Sequence, residues 1–151
     1  MNNNKQLELL LRLEKEKEEK FATELQSAQS FLAANQQKLK EVQSYKLEYL
    51  KKMQLQGVQG VIGGNYQHFK RFIVQLETGI KKQYEVIDMA KEVLEQRRTT
   101  WLTQQQKVKA VELVLEKKRI KQQKVIEKAE QAESDEFATQ KFIRNRMAHA
   151  S

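Results

Sequence analysis

Stepping alternately four and three residues from Leu7 reaches Leu11, Glu14, Glu18, Phe21, Leu25, Ala28, Leu32, Asn35, Leu39, Val42, Lys46, Tyr49 and Met53. Ten of these fourteen positions, Leu7 included, are apolar or aromatic. Between them lie Leu, Glu, Lys, Gln and Ala, all good helix formers. A helix with an apolar stripe at this spacing buries it against another helix, so a coiled-coil helix is predicted over about residues 5–55. Its seam is interrupted by charge at Glu14 and Glu18 and by polar Asn35 and Lys46. The same stepping from Phe69 reaches Ile73, Leu76, Ile80, Gln83, Ile87, Ala90, Leu94, Arg97, Trp101 and Gln104. It continues through Val108, Val111, Leu115, Lys118, Gln122, Val125, Ala129, Ala132 and Glu136, and fourteen of the twenty are apolar. A second helix is predicted over about residues 66–142, with 143–151 as a frayed tail.

Between the two, four of the five glycines fall within residues 57–64. Glycine weakens a helix and permits positive φ, so residues 56–65 are predicted to turn the chain, with Asn65 capping the second helix. The pattern gives an all-α fold, a single coiled-coil domain over 1–151: an antiparallel two-helix hairpin whose C-terminal helix is longer and overhangs. At 1.5 Å per residue the helices would be about 75 and 110 Å long. Folding back near residue 60 sets Leu7 beside Ala110 to Leu115 and leaves roughly the last thirty residues without an intramolecular partner.

Composition narrows the function. The 151 residues contain no Pro and no Cys, which excludes loop-rich folds, disulfide frameworks and thiolate metal sites. Apolar runs such as Phe31-Leu32-Ala33-Ala34 are too short to span a bilayer, and Met1 to Gln6 lacks a secretory apolar stretch. A soluble intracellular protein is expected. A two-helix rod has no cavity to exclude water from a reaction. The two histidines, His68 and His149, are far apart in sequence and read as solvated side chains. No ligand set has metal spacing, and no Gly-Lys-Ser/Thr follows the glycines. The Glu14 to Lys20 run of alternating charge reads as a solvated face with i,i+4 pairs. The expectation is a non-enzyme with no cofactor and no metal.

Surface recognition remains, and two regions offer it. Lys117, Lys118, Arg119, Lys121, Lys124 and Lys128 against Glu127 give a net +5 over residues 117–128, most of the chain's +8. An acidic run, Glu130, Glu133, Asp135 and Glu136, follows at once. The cations suit an acidic partner or, alternatively, counterion-release binding to nucleic acid. The lysine-rich composition, the flanking acid and the lack of interleaved aromatics make nucleic acid the unfavoured choice. The second region flanks the turn, where Val42, Tyr45, Tyr49, Phe72 and Leu76 carry more apolar surface than a two-helix seam buries. An exposed aromatic patch marks a protein-binding site; a locally wide core is the alternative.

The segments Tyr45-Lys46-Leu47-Glu48-Tyr49 and Asn65-Tyr66-Gln67-His68-Phe69-Lys70-Arg71-Phe72-Ile73-Val74-Gln75-Leu76-Glu77, with the glycine-rich turn between them, resemble the FliJ family of flagellar type III export proteins. Asp135-Glu136-Phe137-Ala138 resembles it too. The resemblance implies a cytoplasmic protein at the flagellar base, peripheral to the inner membrane, folded like the central stalk of rotary ATPases. It implies binding to the hexameric export ATPase FliI, to the cytoplasmic domain of the export gate protein FlhA, and to flagellar export chaperones. By matching position, the gate-binding surface would include Val42, Tyr45, Tyr49, Phe72 and Leu76, extending to Gly79 and Gln83. The shape of the overhang assigns Lys117, Lys118, Arg119, Lys121, Lys124 and Lys128 to face acidic side chains in the ATPase ring. A hairpin that satisfies itself is expected to be a monomer when alone. The competing class is a general cytoplasmic coiled-coil scaffold or homodimer that contacts nucleic acid through its basic C-terminal helix.

Overall fold

A computed structural model describes residues 2–58 and 63–150, with side chains from 4–55 and 66–150. All of these residues are helical: α1 spans Asn2–Val58 and α2 spans Gly63–Ala150. Both helices reach further into the glycine segment than 55 and 66, and Asn65 already lies within α2. Glycine costs a helix only about 1 kcal/mol each, and no proline is present to forbid propagation. The remainder of the expected turn, residues 59–62, lies outside the described residues. At the other end α2 continues through 143–150, where a frayed tail was expected. Nothing in Ile143 to Ala150 breaks a helix, since the stretch has neither Gly nor Pro.

The chain divides into two compact units, Lys17–Gln105 and Met1–Glu16 with Gln106–Ser151. In the first, α1 and α2 run antiparallel: Glu24 pairs with Arg97 at 3.6 Å, and Lys46 with Glu77 at 3.3 Å. Every position that the repeat picked on α1 between Glu18 and Met53 is buried or half-buried. On α2 the same holds from Phe69 to Gln104 except at Arg97, whose side chain turns out to Glu24. The most enclosed apolar residues in this unit are Ile87, Ala90 and Ala28. A two-helix seam can close over small or branched side chains only, because each layer has just one facing residue per helix.

The interrupted positions of the seam serve as polar pegs. Buried Gln83 donates from Nε2 to the Asn35 carbonyl at 3.0 Å and to Asn35 Oδ1 at 2.9 Å. Asn35 in turn donates to the Phe31 carbonyl at 2.8 Å. A polar layer of this kind fixes register at some cost in stability, since only one alignment satisfies both amides. Gln83→Ala is expected to lower the unfolding free energy by about 1–2 kcal/mol, read as a reduced urea midpoint. An unchanged midpoint would mean that the amide pair does not set the register.

The second unit is also antiparallel. Lys15 pairs with Glu112 at 3.6 Å, Arg119 with Glu8 at 3.1 Å, and Asn4 donates to Gln122 at 2.8 Å. Val108 and Leu115 are buried here, and Leu7, Leu11 and Glu14 are half-buried opposite. These ion pairs join residues about a turn further along α2 than the level expected for Leu7. Each side chain leans toward its own helix N-terminus, so long side chains in an antiparallel pair converge from backbone positions about a turn out of level. Beyond Lys118 every residue to Ala150 is exposed. From about residue 123 no part of α1 accompanies α2, leaving an overhang of roughly 40 Å.

Candidate functional site

The first surface arises because both helices place aromatics beside the seam at one level. Tyr49 and Phe69 occupy seam positions, whereas Tyr45 and Phe72 each precede one, at Lys46 and Ile73. A layer with room for two facing side chains therefore receives four rings. Tyr49 packs on Phe72 with centroids 4.5 Å apart and on Phe69 at 5.0 Å. Phe72 meets Tyr45 edge-on at 6.1 Å, and Tyr45 lies 6.4 Å from Tyr49. These separations suit attractive tilted and T-shaped pairs. Tyr49, Phe69 and Phe72 are half-buried, but Tyr45 keeps 50% of its surface. Val42 and Leu76 are half-buried seam residues a turn from the rings.

The patch is thus a core cluster with one exposed ring, and the two alternatives read from the sequence are both partly met. Its expected extension fails at Gln83. Gln83 is enclosed in the seam and bonded to Asn35, so it presents nothing to a partner. Gly79 is exposed, with open space where a Cβ would stand. The opposite flank is polar at this level, where Gln43 donates to the Tyr84 hydroxyl at 3.0 Å.

Stepping along the seam overlooked a second apolar feature in the same unit. Phe31, Val86, Met89 and Val93 stand around a floor of Ala28 and Ala90, enclosing a groove of about 280 Å³. Phe31 and Met89 are 56% and 67% exposed. Phe31, Val86 and Val93 each precede a seam residue, as Tyr45 and Phe72 do, so all five lie on one flank of the helix pair. Small Ala28 and Ala90 at the seam open the groove that the larger flank residues border. The signal was in the sequence as a second stripe one residue ahead of the first.

The basic stretch is divided by the end of α1. Lys118 is half-buried at a seam position, and Arg119 is held by Glu8. The expectation that all six cations lie on unpaired helix fails for these two, because side chains of α1 still reach as far as Gln122. Lys121, Lys124 and Lys128 are exposed at and beyond its end. The Arg119–Glu8 pair is solvent-accessible on both sides, so Glu8→Ala is expected to change stability by less than about 1 kcal/mol in a denaturant titration. A larger loss would mean that this pair anchors the start of α1.

Among the described residues no group of three His, Cys, Asp or Glu is placed to hold a metal ion, and no helix is long and apolar enough to cross a membrane. Compared with known proteins, residues 3–147 match the family model described as "Flagellar FliJ protein". No curated protein and no solved structure was found to match.

Proposed function

The chain belongs to the flagellar FliJ protein family, matched over nearly its whole length, and is a component of the flagellar protein export machinery; from that premise we propose that it works as a central-stalk-like adaptor. Its overhang enters the opening of the hexameric export ATPase FliI and promotes ring assembly and activity. The aromatic patch at Val42, Tyr45, Tyr49, Phe72 and Leu76 binds the cytoplasmic domain of FlhA, and the same protein escorts flagellar export chaperones. It does so without catalysis of its own, in the cytoplasm against the inner membrane at the flagellar base.

The observation that carries this reading is the single-helix overhang, exposed at every residue from about 123 to Ala150 and carrying Lys124 and Lys128 near its root, with Lys121 just before it. One α-helix with its side chains is about 10–12 Å across, slender enough for a central opening. Lysines give long-reach, adaptable, salt-screened attraction rather than one fixed geometry, which suits a contact shared among equivalent subunits. Stimulation of ATP turnover is therefore expected to fall as salt rises, and to fall in Lys121→Gln/Lys124→Gln/Lys128→Gln at fixed salt. Equal stimulation by this variant would remove these cations from the ring contact.

A further inference from the structure

The overhang carries a pairing code of its own. Its root is basic, with Lys121, Lys124 and Lys128, and its next two turns are acidic, with Glu130, Glu133, Asp135 and Glu136. Beyond these come Phe137, Phe142, Ile143 and Met147, all between 48% and 70% exposed. In the same unit, the helix pair beside the overhang's root exposes Leu10, Leu13, Leu113 and Val114, between 41% and 56%. Soluble monomers rarely leave apolar side chains gathered in this way.

We propose that the overhangs of two copies pair antiparallel about a two-fold axis midway between residues 128 and 129. Such an axis sets a residue before it level with the residue equally far beyond it in the second copy. Lys121 then lies level with Glu136, and Lys124 with Glu133, each pair occurring twice by symmetry. Further out, Val114 comes level with Ile143, with Leu113 and Phe142 beside them. Lys141 comes level with Glu116. Val125, Ala129 and Ala132, the continuation of the α2 seam, supply the apolar centre, with Ile126 beside them. Small alanines there allow two helices to approach closely. The level pair Glu127 and Glu130 is the one like-charge mismatch, beside Lys128 near the axis. A parallel pairing would instead set lysine against lysine and acid against acid along the whole segment, which disfavours it.

Phe142 and Ile143 of one copy would thus cover the exposed leucines and valine at the root of the other, making a three-helix packing at each end of a closed dimer. An overhang paired in this way is withheld from any other docking site. Self-pairing and use of the overhang as a stalk are mutually exclusive, and the dimer is a resting form.

The test uses the full chain and reads mass and cross-linking, so it is independent of any ATPase assay. Sedimentation equilibrium at low salt is expected to show a dimer that dissociates as salt is raised. Lys121→Glu/Lys124→Glu is expected to be monomeric, and so is Glu133→Lys/Glu136→Lys. An equimolar mixture of the two variants is expected to recover the dimer mass, because each reversed run then faces its opposite. Circular dichroism of each variant checks that the helices are intact. The chain has no cysteine, so Lys128→Cys is expected to cross-link to itself under oxidation while Gln140→Cys does not. A full chain that stays monomeric at low salt, a variant mixture that stays monomeric, or self-cross-linking by Gln140→Cys would each overturn the antiparallel pairing.

Discussion

Tyr45→Ala is expected to weaken binding to the export gate protein tenfold to a hundredfold while changing folding stability by less than about 1 kcal/mol. Half of the Tyr45 surface is open, and its ring touches the cluster only through an edge contact with Phe72 and a looser tilt against Tyr49. An aromatic ring that is rigid, amphipathic and already ordered by one neighbour makes a strong anchor for a partner at little entropic cost. Tyr49→Ala provides the contrast. That ring occupies a seam position and lies against both Phe69 and Phe72, so its loss should cost about 2–4 kcal/mol of stability. Titration calorimetry against the gate domain and urea unfolding of each variant separate the two outcomes. Tyr45→Ala unfolding as readily as Tyr49→Ala would put both rings in the core, and full binding by Tyr45→Ala would move the gate contact elsewhere.

A chain ending after Gln123 is expected to keep gate binding and to lose most of its stimulation of the export ATPase. The cut is set by the structure. Asn4 and Glu8 find their α2 partners at Gln122 and Arg119, so everything that pairs with α1 is retained. What is removed is helix exposed at every position, whose deletion takes away no seam contact. The melting transition should therefore stay close to that of the full chain, with ellipticity reduced only in proportion to the residues lost. Full stimulation by the shortened chain would show that the overhang is not the element that meets the ring, and Lys124 and Lys128 would then be an ordinary solvated face.

The seam was legible residue by residue because a 3.5-residue period is imposed on the sequence wherever two helices stay in contact. Even the apparent interruptions obeyed it: Glu14, Glu18, Asn35 and Lys46 all lie at the interface, half-buried, in spite of their polarity. The end of pairing was legible only roughly: Lys118 and Arg119, read as unpaired, are half-buried at the seam and held by Glu8 respectively. Less visible was anything that depends on the flanks. The groove at Phe31, Val86 and Val93 follows a stripe displaced by one residue, which stepping along the seam does not sample. Which ring of the patch would be open and which enclosed depended on how four aromatics share a layer. Gln83 could be a surface amide or a buried one by pattern alone, and only its pairing with Asn35 decides. Both helices run a few residues past the approximate bounds read from the sequence, and α2 continues to Ala150 where fraying was expected. Glycine raises the cost of a helix without stopping it, and a polar terminus without Gly or Pro has no signal to end one.

The account stands most directly on whether this chain drives the export ATPase of its own bacterium. The purified protein would be mixed with that ATPase while ATP turnover and ring formation are followed together. Stimulated turnover accompanied by hexameric rings at fewer than one chain per ATPase subunit, both declining with salt, is the result predicted. Unchanged turnover and unchanged assembly at equimolar protein would contradict the central-stalk role.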